Sequence, residues 1–129
     1  MDKLLSSKQT PAVILIESDP ITLDLYQREL CKSFIVYAFT ELKGVLEILA
    51  KQDIQAVVIE PEIDSEKGWN LIHTIHEEFP LKFIPVIICS TRDNNYMKPA
   101  LEISTYLTKP VLPRTLREKV LEIIHEKEM

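Results

Sequence analysis

Glycine is nearly missing from this chain: its 129 residues include two, Gly44 and Gly68. A glycine-rich phosphate loop is therefore excluded, and with it the common route to nucleotide or flavin binding. Cysteine is equally sparse. Cys31 falls at an expected helix end and Cys89 inside an expected strand, so the two read as free thiols of a reducing compartment rather than a disulfide framework. No run approaches the roughly 18 apolar residues of a membrane span. The first ten residues, MDKLLSSKQT, are too polar for a signal peptide. The expected location is the cytoplasm. Basic residues are outnumbered 15 to 20 by acidic ones, for a net charge of -5, and no dense Lys/Arg cluster marks a nucleic-acid surface. Lys109, Arg114, Arg117 and Lys119 alternate with carboxylates and read as a solvated helix face. There is no Cys-His-acid set and no serine elbow. His73 and His76 lie three apart on one expected helix but lack a third ligand. They and His125 read as exposed helix residues.

What the chain does have is alternation. AVILI at 12–16 is a β-branched run with nothing polar inside, the pattern of a strand buried on both faces. Pro20 starts a helix on which Ile21, Leu25, Tyr26 and Leu30 recur at helical spacing. FIVYAF at 34–39 is a second strand, after which Thr40 caps a helix carrying Leu42, Val45, Leu46 and Leu49. AVVI at 56–59 is a third strand, followed by a helix with Leu71, Ile72, Ile75 and Phe79, with Trp69 as a packed cap. FIPVIIC at 83–89 and YLT at 106–108 complete five strands, and the last helix runs from about Pro113 with Leu116, Val120, Ile123 and Ile124 on one face. Strand and helix in strict alternation imply a parallel sheet covered by helices on both faces. Right-handed crossovers make it a doubly wound α/β fold, with the flavodoxin-like order 2-1-3-4-5 as the natural five-stranded solution. Residues 1–10 read as a flexible tail and 11–129 as one domain.

In an open parallel sheet, ligands bind beyond the carboxyl ends of the strands. Those ends carry Glu17, Ser18 and Asp19 after the first strand and Glu60, then Glu62, after the third. Ser90 and Thr91 follow the fourth, and Lys109 with Pro110 the fifth. Carboxylates, hydroxyls and one ammonium are thus expected around a single crevice.

The motifs VILIESDP at 13–20, AVVIEPEIDSEKGW at 56–69, IPVIICST at 84–91 and YLTKP at 106–110 together resemble the receiver domain of two-component response regulators. The resemblance spans nearly the whole chain after its first ten residues, and Gly68 stands eight residues beyond position 60, as in that family. It implies a crevice where an acidic pair holds a divalent cation, an aspartate accepts a phosphoryl group from a histidine kinase, and Ser or Thr and Lys contact that group. Tyr106 matches the family's switch aromatic, and the Lys109–Pro110 peptide is often cis there.

Two acidic positions depart from the pattern. Glu17 keeps the first, Ser18 replaces the second, and Glu60 stands where the acceptor aspartate belongs. Mg²⁺ demands near-ideal octahedral geometry, so its binding is expected to be weak or absent. A glutamate sets its carboxylate roughly 1.5 Å further out, and a displacement near 1 Å can cost a rate factor of roughly a hundred. The expectation is a degenerate receiver, or pseudo-receiver: a signalling module without enzymatic turnover, not phosphorylated in the normal way, that binds a protein partner or a component of a histidine-kinase pathway. It contacts neither nucleic acid nor membrane, and a homodimer stays open. Within the crevice, Lys109 is expected to pair with Glu60. With Ser90, the pair would either hold one state of the switch without phosphate or form an inert ion pair in a retired pocket.

Two alternatives remain: a receiver that retains weak phosphoacceptance, and a metal-dependent phosphotransfer enzyme in which Glu17, Glu60 and Glu62 resemble the acid spacing of a Toprim site. The stretch 91–103, TRDNNYMKPALEI, is shorter than its counterpart in typical receivers. Pro99 restricts any helix there to a short one, which sets this face apart from the surface through which many receivers dimerise.

Overall fold

The computed structural model describes residues 9–92 and 103–128. The expected tail falls mostly, and the expected helix between the fourth and fifth strands almost wholly, outside the described residues. The strands are β1 (Ala12–Ile16), β2 (Ile35–Phe39), β3 (Ile54–Ile59), β4 (Val86–Ser90) and β5 (Thr105–Thr108). They form one parallel sheet in the order β2-β1-β3-β4-β5. The described helices are α1 (Pro20–Leu30), α2 (Val45–Lys51), α3 (Ile63–Glu78) and α4 (Pro113–Glu128). The expected flavodoxin-like topology is thus the observed one.

Successive residues of a strand point to opposite faces, so each central strand divides its side chains between two cores. Ile14, Ile16, Val57, Ile59, Val86 and Ile88 face one way, where they meet Val45 and Leu49 of α2 and Leu71, Ile72 and Ile75 of α3. Val13, Leu15, Ala56, Val58, Ile87 and Cys89 face the other way, against Tyr26 and Leu30 of α1 and Leu116, Val120, Ile123 and Ile124 of α4. Each fully buried Ile or Leu contributes about 1.5–3 kcal/mol relative to exposure. That burial on both faces fixes the strand ends at which the polar residues emerge.

Several boundaries differ from expectation. β3 begins two residues earlier, at Ile54. β4 begins at Val86 rather than residue 83, because Phe83 is exposed and left-handed (φ 51°). Thr40 does not cap α2. The cap is Gly44, whose φ of 91° suits a residue without Cβ and which offers no side-chain bond. Arg117 is not simply a solvated residue: its Nε bonds Glu29 Oε2 at 2.8 Å and its Nη1 bonds Ser33 Oγ at 3.2 Å, tying α4 to α1. Trp69 packs partly buried against the first core, and Cys31 forms the exposed C-cap of α1.

Candidate functional site

The end of β1 supplies three polar residues in a row, and the chain's turn into α1 separates their roles. Glu17 continues the strand inward and is 2% exposed. Its Oε1 accepts from Lys109 Nζ at 2.7 Å and its Oε2 from the Asp19 amide at 3.2 Å. Ser18 and Asp19 turn outward. The Asp19 carboxylate caps α1, accepting from the amide and hydroxyl of Thr22 at 3.1 and 2.6 Å, so it belongs to the helix start rather than to an acidic pocket. Those Thr22 bonds hold its carboxyl below the ordinary value.

Glu60, at the end of β3, is half-buried. Its Oε1 accepts both donors of Ser18, the amide at 2.9 Å and the hydroxyl at 2.7 Å. The expected Glu60–Lys109 pair is therefore corrected: the ammonium bonds Glu17, and Ser18 is the partner of Glu60. The physical reason is depth. Glu17 lies deeper, where an unpaired carboxylate is most costly, while the longer side chain at 60 reaches across to the hydroxyl that stands in place of an acid.

Burial pushes the Glu17 carboxyl above its ordinary value, against the pull of the Lys109 bond and the Asp19 amide. Burial acts on Glu60 in the same sense, but the two Ser18 bonds and the Lys109 charge outweigh it and hold its carboxyl below the usual range. Burial would lower the Lys109 ammonium, and the Glu17 carboxylate reverses that, holding it above the ordinary lysine value.

On the β4 side, Ser90 is fully buried. Its hydroxyl donates to Glu62 Oε2 at 2.6 Å and accepts from the Arg92 amide at 2.9 Å, so the expected grouping of Ser90 with Glu60 and Lys109 is also corrected. Backbone still joins the two sides, since the Lys109 amide donates to the Ser90 carbonyl at 2.7 Å. Tyr106, on β5, donates from its hydroxyl to the Arg92 carbonyl at 2.7 Å. Arg92 Nη1 lies 3.0 Å from Glu66 Oε2. The Lys109–Pro110 peptide is cis. Thr91 is exposed and lines, with Lys109 and Pro110, a groove against α1. Gly68 sits where a Cβ would come within 2.6 Å of the Pro61 carbonyl oxygen, which explains why α3 carries glycine there.

Arg92 and Glu66 were missed in the sequence. No motif marks them, because an ion pair between the non-helical first turn of α3 and the segment after β4 leaves no periodic trace. Beside the site, Cys89 is buried and its thiol is pushed up to about 12 by burial.

A strand-end crevice with an acid, a hydroxyl and a lysine on a five-stranded doubly wound sheet defines a receiver-type site. The family model of the response regulator receiver domain matches residues 13–121, and the chain belongs to that family. No curated protein sequence matches it. Among solved structures, a CheY-like receiver domain protein from Methanospirillum hungatei is similar at 19% identity, covering 93% of this chain and 98% of that one, with a TM-score of 0.82. A response regulator from Thermotoga maritima is 26% identical, over 91% of this chain and 99% of that one, with a TM-score of 0.76. A chemotaxis response regulator of Vibrio cholerae is 15% identical, over 89% and 99%, with a TM-score of 0.78. The chain is thus a receiver domain of two-component signalling. No helix among the described residues is long and apolar enough to cross a membrane.

Proposed function

We propose that this receiver works as a pseudo-receiver, transmitting a signal by binding a protein of a two-component pathway, without routine phosphorylation at position 60 and without turnover of its own. The observation that carries this reading is the pair of hydrogen bonds that Ser18 donates, from its amide and its hydroxyl, to Glu60 Oε1. The acid that stands at the acceptor position is held by the residue that stands where a metal-binding acid belongs. In-line transfer onto a carboxylate needs a free, well-aimed oxygen; Oε1 is engaged by Ser18, and the longer glutamate side chain sets both oxygens further out than an aspartate would.

The donor set does not fit the divalent cation that the family implies. Glu17 gives one oxygen to Lys109 and the other to the Asp19 amide, and Ser18 brings a neutral hydroxyl already donated to Glu60. Among the described residues, no three acidic, histidine or cysteine side chains group as a metal site. This supports weak Mg²⁺ binding and speaks against a Toprim-like enzyme. A protein partner is supported by exposed Ile21, Leu25 and Leu112, at 73%, 53% and 72%. Leu25 lines the groove that also contains Tyr26, Pro110 and Val111.

Two measurements test the reading. Acetyl phosphate with Mg²⁺, followed by intact-mass analysis, is expected to leave the chain unmodified, and a stable phosphoryl adduct would overturn the proposal. Titration with beryllofluoride and Mg²⁺ is expected to leave the NMR signals of Ser90 and Tyr106 in place. A saturable shift there would restore phosphoacceptance.

A further inference from the structure

The junction between β3 and α3 carries two local costs on five consecutive residues, and neither follows from the exchange of acids at positions 18 and 60. Glu62 Oε1 is buried without a hydrogen-bond partner, although its companion oxygen holds Ser90 Oγ at 2.6 Å. A buried carboxylate oxygen left without a donor is costly. Immediately after it, Asp64, Ser65 and Glu66 adopt φ values of 51°, 55° and 72°. Three successive non-glycine residues in the left-handed region are strained and persist only where their surroundings hold them there.

Those surroundings are the end of β4. Glu62 holds the Ser90 hydroxyl, and the left-handed turn presents Glu66 to Arg92 Nη1 at 3.0 Å. Arg92 in turn donates its amide to Ser90 Oγ and accepts the Tyr106 hydroxyl on its carbonyl. The contacts therefore run in one line from the β3–α3 junction, through β4, to the aromatic ring on β5.

We propose that residues 62–66 form a strained strap latched onto the end of β4, and that the latch sets the position of Tyr106. Release lets residues 64–66 relax toward right-handed backbone and lets water reach the Glu62 carboxylate. It also frees Arg92, and the hydrogen bond from the Tyr106 hydroxyl to the Arg92 carbonyl is lost. The strap is a conformational device internal to the fold, and it requires neither a cation nor a phosphoryl group. A partner that prefers the released arrangement would open it by its differential affinity alone.

Amide hydrogen exchange by NMR, in buffer without Mg²⁺ or phosphodonor, tests the strap on the full chain and on Glu62→Ala, Ser90→Ala and Glu66→Gln. The Glu66 and Arg92 amides are expected to exchange about ten-fold faster in each alanine variant. The Tyr106 ring signals should shift, with β1 amides unchanged. Glu66→Gln alters only a surface ion pair, so it should still fold, and it is expected to speed Arg92 exchange about two-fold. Unchanged exchange at Glu66 and Arg92 in the alanine variants would overturn the strap. So would faster exchange with Tyr106 unmoved, because the link to β5 would then be absent. Should Ser90→Ala not fold, Glu62→Ala and Glu66→Gln decide by the same readings. Phosphorylation of the unaltered chain would sink the pseudo-receiver reading and leave the strap standing, so the two failures are distinguishable.

Discussion

The two halves of the crevice solve one problem differently. On the β1 side, a buried carboxylate is matched by a full charge, Glu17 with Lys109, and the neighbouring Glu60 is matched by two donors from Ser18. On the β4 side, Glu62 is matched by a single hydroxyl and keeps one buried oxygen without a partner. In the first half both Glu17 oxygens have donors, and that half should resist change. The second is held by the Ser90 and Arg92 contacts against a strained backbone, and should yield first. Burial sets the expected cost on the first side, and local geometry sets it on the second.

The largest effect is expected where the charge lies deepest. Lys109→Met strands the Glu17 carboxylate, and removing one member of a buried pair costs about 3 kcal/mol or more, to be read as a lower urea midpoint. Adding Glu17→Leu should recover most of that loss, since a well-packed apolar pair often replaces an ionic one without penalty. If the double variant were no better than the single one, the β1 side would not be organised around that pair.

Next comes Gly68→Ala, whose new Cβ would fall 2.6–2.9 Å from Pro61 backbone atoms. Overpacking of this kind costs about 1–3 kcal/mol and should lower the thermal midpoint. A variant as stable as the parent would show that Pro61 can give way to the new Cβ and that the β3–α3 junction is loosely packed.

Stability against pH sharpens the contrast between Glu17 and Glu60. Glu60 is held below the ordinary carboxylate value of 4.5, so its contribution is present above that pH and is lost as pH falls through its folded value. Glu17 is raised above 4.5, so its contribution has the opposite sign: it is full below 4.5 and is lost as pH rises through its folded value. Glu60→Gln should flatten the acid limb of a plot of urea midpoint against pH, and Glu17→Gln the limb above 4.5. Identical curves for the two variants would contradict the division of roles. Ser18→Ala, which removes one of the bonds to Glu60, is expected to cost about 0.5–1 kcal/mol. Tyr106→Phe should have the smallest effect of these, roughly 0.5 kcal/mol, because the ring stays packed against the core while its hydroxyl leaves the Arg92 carbonyl. Differential scanning calorimetry can rank both.

The fold was legible because runs such as Ala12–Ile16 and Ala56–Ile59 have no polar residue to place on either face, which leaves few alternatives to a central parallel strand. Unlike Glu66 and Arg92, the strand-end residues Glu17, Glu60, Ser90 and Lys109 were legible too, since they stand at the ends of such strands. Their pairings were not. Glu17, Glu60 and Glu62 are chemically alike, and the choice between Lys109, Ser18 and Ser90 as partner depends on relative depth and on a left-handed turn at Asp64, Ser65 and Glu66. That turn contains no glycine to announce it. The start of α2 was missed for a related reason: Thr40 offers the right chemistry for a cap, but the chain reaches helical geometry only after Gly44.

Cys89 gives the crevice a built-in clock. It lies one residue before Ser90, on the core side of β4, and a thiol pushed up to about 12 is almost entirely unreactive at neutral pH. Cys31, exposed at the end of α1, remains open to the same reagents. The molecule therefore contains one thiol that counts encounters with the solvent and one that counts only excursions that open the core between β4 and the helices α1 and α4. The ratio of their labelling rates is a record, written by the protein itself, of how often the core beside Ser90 opens.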